Sequence, residues 1–168
     1  FMLHEQESIH TLRGHREALD YLYDCKARGI VRAVGASMHH IAAVEGAVAL
    51  HLDVIHPLLN LTGIGIVDGA RAEMEAAVQG AHAAGIGVYA MKPLGGGNLF
   101  SQAQACLDYA LGLPYVDSVA IGMQSVDEVD ANIGYWETGA FTPEQKRVLE
   151  GKTRRLHIDS WCEGCGKC

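Results

Sequence analysis

Gly87-Val88-Tyr89-Ala90-Met91-Lys92-Pro93-Leu94-Gly95-Gly96-Gly97 is the stretch whose reading decides the fold. A short apolar strand, Ile86 to Met91, runs into a lysine, a proline and three consecutive glycines. Bare glycine backbone lets N–H groups approach an anion, and the lysine sets an ammonium beside them. One strand–helix unit further on, Val116 to Ile121 forms a second apolar strand, closed by Gly122-Met123-Gln124-Ser125 and a helix start. Two neighbouring strand ends of this kind are what a parallel sheet covered by helices offers a nucleotide's phosphates.

Outward from that point, strand and helix signals alternate. Phe1 to His4 reads as the tail of a strand, and His15 to Arg28 as a helix with Leu19, Leu22 and Tyr23 on one face and Gly29 as its stop. Ile30 to Ala36 is the next strand, followed by a helix over Ile41 to Leu50 and a strand over Asp53 to His56. The connection from Pro57 to Gly69 is long for such a unit and is a candidate binding loop. Ala70 to Ala84 places Met74, Ala77, Val78 and Ala81 on one helical stripe. A helix near Ser101 to Leu113 precedes the Val116–Ile121 strand. Ser125-Val126-Asp127-Glu128 and Thr142-Pro143-Glu144-Gln145 both read as capping boxes, the second opening a helix to about Leu156.

Short strands apolar on both faces, each followed by an amphipathic helix, call for an α/β fold with a parallel sheet covered by helices. A doubly wound open sheet and a barrel both satisfy the pattern. Five strands are visible, too few to close an eight-stranded barrel. The chain starts inside a strand and stops inside a cysteine motif, so it is expected to be part of something larger.

Of the 168 residues, 49% are apolar and 20% charged, and the formal net charge is −7, as in an ordinary globular protein. No Lys/Arg-rich run is present, which argues against a nucleic-acid partner. No apolar stretch reaches the roughly 18 residues of a membrane span, and no signal-peptide pattern opens the chain, so a cytoplasmic location is expected. Cys25 and Cys106 fall in helical stretches and are expected to be buried thiols. His10, His15, His39, His40 and His51 lack ligand spacing with any carboxylate or cysteine and are assigned to the surface or to helix ends.

The last residues are different in kind. Cys162-Glu163-Gly164-Cys165-Gly166-Lys167-Cys168 is a C-x2-C-x2-C run whose spacing suits three thiolates on one face of an iron–sulfur cubane. A structural zinc site using the same thiolates, with His157, is the alternative, and inert or disulfide-linked thiols are the third.

Taken in order, Leu3-His4-Glu5 at a strand end, Val34-Gly35-Ala36-Ser37 after the next, Asp53 through Asn60, the Met91-to-Gly97 loop, Gly122 through Asn132 and the terminal cysteines resemble the C-terminal part of an aldo-keto reductase. The resemblance is narrower to the bacterial branch carrying a C-terminal iron–sulfur (4Fe-4S ferredoxin-type) segment. It implies a partial (β/α)8 TIM barrel, with the visible strands as its fourth to eighth. It divides the chain into a barrel portion over residues 1–140 and a C-terminal helix with the start of the cysteine segment over 141–168.

The activity implied is that of an oxidoreductase transferring a hydride between NADP(H) or NAD(H) and a small carbonyl or alcohol substrate. Of the family's Asp, Tyr, Lys and His tetrad, the resemblance places only the histidine in this sequence, at His4, and the 168-residue chain alone is expected to show no turnover. Ser37 matches a serine near the nicotinamide carboxamide, and Asn60 a family asparagine. Lys92, Gly95, Gly96 and Gly97 match the pyrophosphate loop, and Ser125 and Asn132 the phosphate and adenine contacts. Met38, Leu59 and Ala131 stand where an asparagine, a tyrosine and a carboxylate are usual. No Arg or Lys lies between Gly122 and Asn132, so the sequence does not select NADP over NAD. The metal ligands implied are Cys162, Cys165 and Cys168, which in this chain are an incomplete ligand set for a [4Fe–4S] cluster. The rival expectation is a non-catalytic nucleotide- or cluster-binding subunit, with open sheet edges favouring homo-association or a partner.

Overall fold

The computed structural model describes residues 1–151. Five strands, β1 (Met2–Gln6), β2 (Gly35–Met38), β3 (Val54–Pro57), β4 (Gly87–Met91) and β5 (Ser118–Ala120), form one sheet in the order β1-β2-β3-β4-β5. Every neighbouring pair is parallel. The connections carry α1 (Ile9–Gly14), α2 (Arg16–Ala27), α3 (Ile41–Ala49), α4 (Arg71–Ala83) and α5 (Ala103–Gly112); α6 (Val126–Thr138) and α7 (Pro143–Glu150) follow the sheet. A doubly wound sheet reverses its strand order at a switch point. Among the described strands this order never reverses, so they are wound in one direction only.

Right-handed crossovers that all step the same way put the helices on one face of the sheet. Burial agrees. Leu3, Ala36, Met38, Ile55, Val88, Ala90 and Val119 share a strand parity and pack with Leu12, Leu22, Val44, Met74 and Val78 in the main core. The opposite parity carries Ser37, His56, Tyr89 and Met91. On that face His56 stacks on Tyr89 with ring centroids 4.4 Å apart, and Tyr89 remains exposed. Only Gly35 could serve at its position, because a Cβ there would sit 2.1 Å from the Val54 carbonyl oxygen on the next strand.

The N-terminal ends of the strands are fastened by a repeated device. Asp53, just before β3, accepts the Val34 N–H at 2.8 Å and the Lys26 ammonium at 2.5 Å. Asp117, just before β5, accepts the Val88 N–H at 2.7 Å. Each carboxylate thus ties its own strand to the one before it. This explains a difference from the sequence expectation: β2 begins at Gly35 and not at Ile30, since the Val34 N–H is spent on a carboxylate.

A second apolar cluster joins Leu94, Leu99, Cys106, Leu107, Ala131, Tyr135, Phe141 and Leu149. Residues of α7, beyond the expected boundary at 140, therefore pack into the same body. Cys25 and Cys106 are buried free thiols, as the sequence suggested. Tyr135 is buried but Trp136 is 74% exposed, so only the first of that pair packs inward.

The helix over Ile9–Gly14 was not legible. Its capping box is Ser8 with Thr11, in place of the usual Glu or Gln. The Thr142–Gln145 box forms as expected, with both reciprocal bonds. At Ser125–Glu128 the helix start is also capped by a side chain. Ser125 accepts the Glu128 N–H at 3.3 Å, and the Glu128 carboxylate takes the Gln124 N–H at 2.6 Å.

Candidate functional site

Parallel strands present their C-terminal ends on one side, and there the chain gathers its polar groups. In β1, Leu3 pairs with Ala36 and Gln6 with Met38, so one extra residue bulges out between them. The bulge holds Glu5 at φ 50, a left-handed conformation that is strained for a residue with a Cβ. Glu5 N–H consequently donates to Ser37 Oγ at 2.8 Å, and His4 Nδ1 lies 3.0 Å from the same oxygen. Ser37 is buried, whereas the His4 side chain is exposed.

His39, just past β2, extends the cluster. Its Nδ1 lies 3.3 Å from Glu5 Oε1, and its Nε2 lies 2.9 Å from Lys92 Nζ. Lys92, just past β4, is itself left-handed at φ 55. An ammonium only donates, so His39 Nε2 must carry the lone pair and the ring proton faces Glu5. Burial and the Lys92 charge hold the His39 pKa below its ordinary value, against a smaller opposing pull from Glu5. His4, Ser37 and Lys92, all expected from sequence, are therefore linked through Glu5 and His39. Neither was singled out as a site residue from sequence, and His39 was assigned to the surface or a helix end, because no local spacing joins residues from three different strands.

The glycines after Lys92 make a left-handed turn with φ values of 57, 62 and 91 at Gly95, Gly96 and Gly97. A Cβ at Gly95 would stand 2.8 Å from Ile64 Cγ2 and 3.0 Å from Leu99 Cγ, and one at Gly97 would stand 3.2 Å from the Phe100 ring. At Gly96 it would meet nothing within 4 Å. The outer glycines are bare because the protein packs on them; the middle one faces open space.

Asn60 supports this turn without reaching it. It is fully buried, its Nδ2 donates to the Ile64 carbonyl at 2.9 Å, and its Oδ1 accepts the Thr62 hydroxyl at 3.3 Å. Both side-chain ends are thus spent inside the 57–69 loop, which bears on Gly95 through Ile64. The same loop sends Asp68 to the N-terminus of α3, where it accepts Ile41 and Ala42 N–H at 2.7 and 3.0 Å. Burial raises the Asp68 pKa, but these backbone donors outweigh it and hold the carboxyl below its ordinary value.

Ser125 and Asn132 sit on α6, beyond the strand next to β4. The pairing of Met91 with Ala120 brings the Lys92 loop and the Ile121–Ser125 segment off the same end of adjacent strands. Ser125 caps α6, and Asn132 Nδ2 donates to the Glu128 carbonyl at 2.7 Å. Asn132 Oδ1 is buried with no hydrogen-bond partner among the described residues. Glu128 is 2% exposed and sets a carboxylate at the start of that helix.

An open cavity of about 310 Å³ lies between Phe100–Ala105 and α7, with Phe141 and Lys146 on its wall. None of the expected site residues lines it. Among the described residues no group of three or more His, Cys, Asp or Glu could hold a metal ion, and no helix is long and apolar enough to cross a membrane. Cys162, Cys165 and Cys168 lie outside the described residues.

No family model matches the chain. No curated protein matches it either.

Proposed function

We propose that this chain supplies the cofactor-gripping end of an aldo-keto reductase-type oxidoreductase, with its strands forming part of a (β/α)8 barrel. The observation that supports this best is the meeting of His4, Ser37 and Lys92 at one end of a sequentially ordered parallel sheet. His4 and Ser37 are 3.0 Å apart, and Lys92 joins them through His39 and Glu5.

A nicotinamide nucleotide, NADP(H) or NAD(H), supplies the hydride that converts a carbonyl to an alcohol when it is bound. The chain's residues hold and orient. With Ser37 Oγ accepting from Glu5 N–H and donating its own proton to His4 Nδ1, the Nε2–H lies on the exposed edge of the ring, 3.8 Å from Glu5 Oε2. That N–H polarises a substrate oxygen. Lys92 and the open face at Gly96 fit a diphosphate. The start of α6 fits one less well, because Glu128 already occupies a backbone donor there with a negative charge. The diphosphate is therefore assigned to Lys92 and Gly95–Gly97, with Ser125 and Asn132 on the adenine side.

Only the histidine of the tetrad is matched, so the expected outcome is binding without turnover. Titrating the 168-residue chain into NADPH and NADH, followed by nicotinamide fluorescence, checks this. Lys92→Met should weaken binding on the order of tenfold through loss of a charge-assisted contact. Failure of the chain to bind either nucleotide refutes the assignment, and reduction of a carbonyl panel by the chain alone refutes the tetrad argument. The Cys162–Cys168 run is assigned to a [4Fe–4S] cluster. Anaerobic reconstitution should give a visible absorbance that Cys165→Ser diminishes.

A second reading, a non-catalytic subunit that binds nucleotide or cluster and acts by association, has its own support. β1 and β5 each have one unpaired side among the described strands. Val126, Val129, Ile133 and Trp136 form an exposed apolar stripe along α6. A stable stoichiometric oligomer in analytical ultracentrifugation would favour it over the first.

A further inference from the structure

Lys92, the ammonium assigned to the diphosphate, already has a partner. Its Nζ donates to His39 Nε2 at 2.9 Å, a bond that exists only while that nitrogen is unprotonated. The ring's proton sits on the opposite side, where Nδ1 faces Glu5 Oε1 at 3.3 Å. A second proton on His39 would remove the acceptor and set two cations in contact.

We propose that His39 is the control residue of an acid-gated anion site: neutral, it parks Lys92; protonated, it releases Lys92 toward the Gly95–Gly97 turn and adds its own charge for a phosphate- or diphosphate-class anion. This rests on the assignment of that turn to a cofactor diphosphate.

The surroundings suit the role. Lys92 from the β4 end, Glu5 and His4 from β1 and the adjacent His40 are the charged and titratable groups that act on His39. Asp68, from the 57–69 loop, acts on neighbouring His40, but its oxygens are committed to the α3 backbone. With the histidines neutral, Lys92 and Glu5 cancel. A second proton on His39 then makes this end of the sheet more positive, with the Glu5 carboxylate, already beside Nδ1, the opposing charge in contact with the ring. The burial and Lys92 charge that hold His39 neutral place the transition on the acid side of an ordinary histidine.

Two measurements test the proposal. In the first, 15N NMR of histidine-labelled protein reads the ring directly. At pH 7.5 His39 should show an unprotonated Nε2 and a protonated Nδ1, and Lys92→Met should raise its titration midpoint. A protonated Nε2 at that pH, or a midpoint unmoved by Lys92→Met, overturns the proposal. In the second, inorganic pyrophosphate is titrated at pH 7.5 and 5.5 against wild type and His39→Gln, which keeps a neutral acceptor for Lys92 but cannot titrate. Acidification should strengthen binding to wild type on the order of tenfold relative to the variant, which also corrects for protonation of the ligand. Equal pH slopes overturn the gate. Absence of pyrophosphate binding at both pH values overturns the cofactor assignment instead, and the NMR titration still decides whether His39 holds Lys92.

Discussion

Replacing Gly95 and Gly96 separately by alanine distinguishes what the protein needs from what a ligand needs. Both residues are left-handed, at φ 57 and 62, so either alanine carries a backbone penalty of about 1–2 kcal/mol. The Gly95 Cβ would also press into Ile64 and Leu99 at 2.8 and 3.0 Å, which adds about 1–3 kcal/mol of overpacking. At Gly96 the added methyl meets nothing within 4 Å, so only the backbone penalty remains. Urea unfolding should therefore rank Gly95→Ala clearly below Gly96→Ala, with the latter losing about 1–2 kcal/mol. Nucleotide titration should show the reverse sensitivity per unit of stability. Gly96→Ala stays folded yet binds NADPH on the order of tenfold more weakly, because the methyl projects where the diphosphate would lie. Equal destabilisation by the two alanines would refute the packing argument, and unchanged NADPH affinity in Gly96→Ala would refute the claim that its open face receives the ligand.

Two helical glycines should respond with opposite signs. Gly80→Ala, with nothing within 4 Å of the new Cβ, should stabilise by up to about 1 kcal/mol, whereas Gly46→Ala meets the Ile9 backbone at 2.8 and 2.9 Å and should destabilise in the same urea assay. Leu107→Ala, at a fully buried position, should cost about 2–5 kcal/mol, read from the unfolding midpoint. Burial raises the Asp53 pKa, but Lys26 and the Val34 N–H outweigh it and hold the carboxyl below its ordinary value. A depressed carboxylate stabilises the fold above its unfolded pKa and ceases to do so as pH falls through its folded pKa, so Asp53→Asn should flatten the acid limb of a stability–pH profile below about pH 4.

Much of the fold was legible because it is written locally. The α4 stripe of Met74, Val78 and Ala81 is buried as its period demanded, and the apolar runs before Lys92 and Gly122 are adjacent parallel strands. What escaped was non-local. β2 starts late because Asp53, nineteen residues on, captures the Val34 N–H, and no window around Ile30 contains that fact. Likewise Glu5 and His39 look idle in sequence; they meet only because a bulge in β1 turns Glu5 toward the end of β2. Asn60 differs in the opposite sense: its position matches a family asparagine, and in the structure its amide bonds the Ile64 carbonyl and the Thr62 hydroxyl within its own loop.

The ties made by Asp53 and Asp117 have an implication for how such a molecule can change. Carboxylate-to-backbone ties reinforce neighbouring strands at one rim of the sheet, while Glu5, His39 and Lys92 meet at the opposite rim. Substitutions that retune recognition are thereby insulated from those that hold the scaffold together, and a lineage could wander through many ligand preferences without first risking collapse.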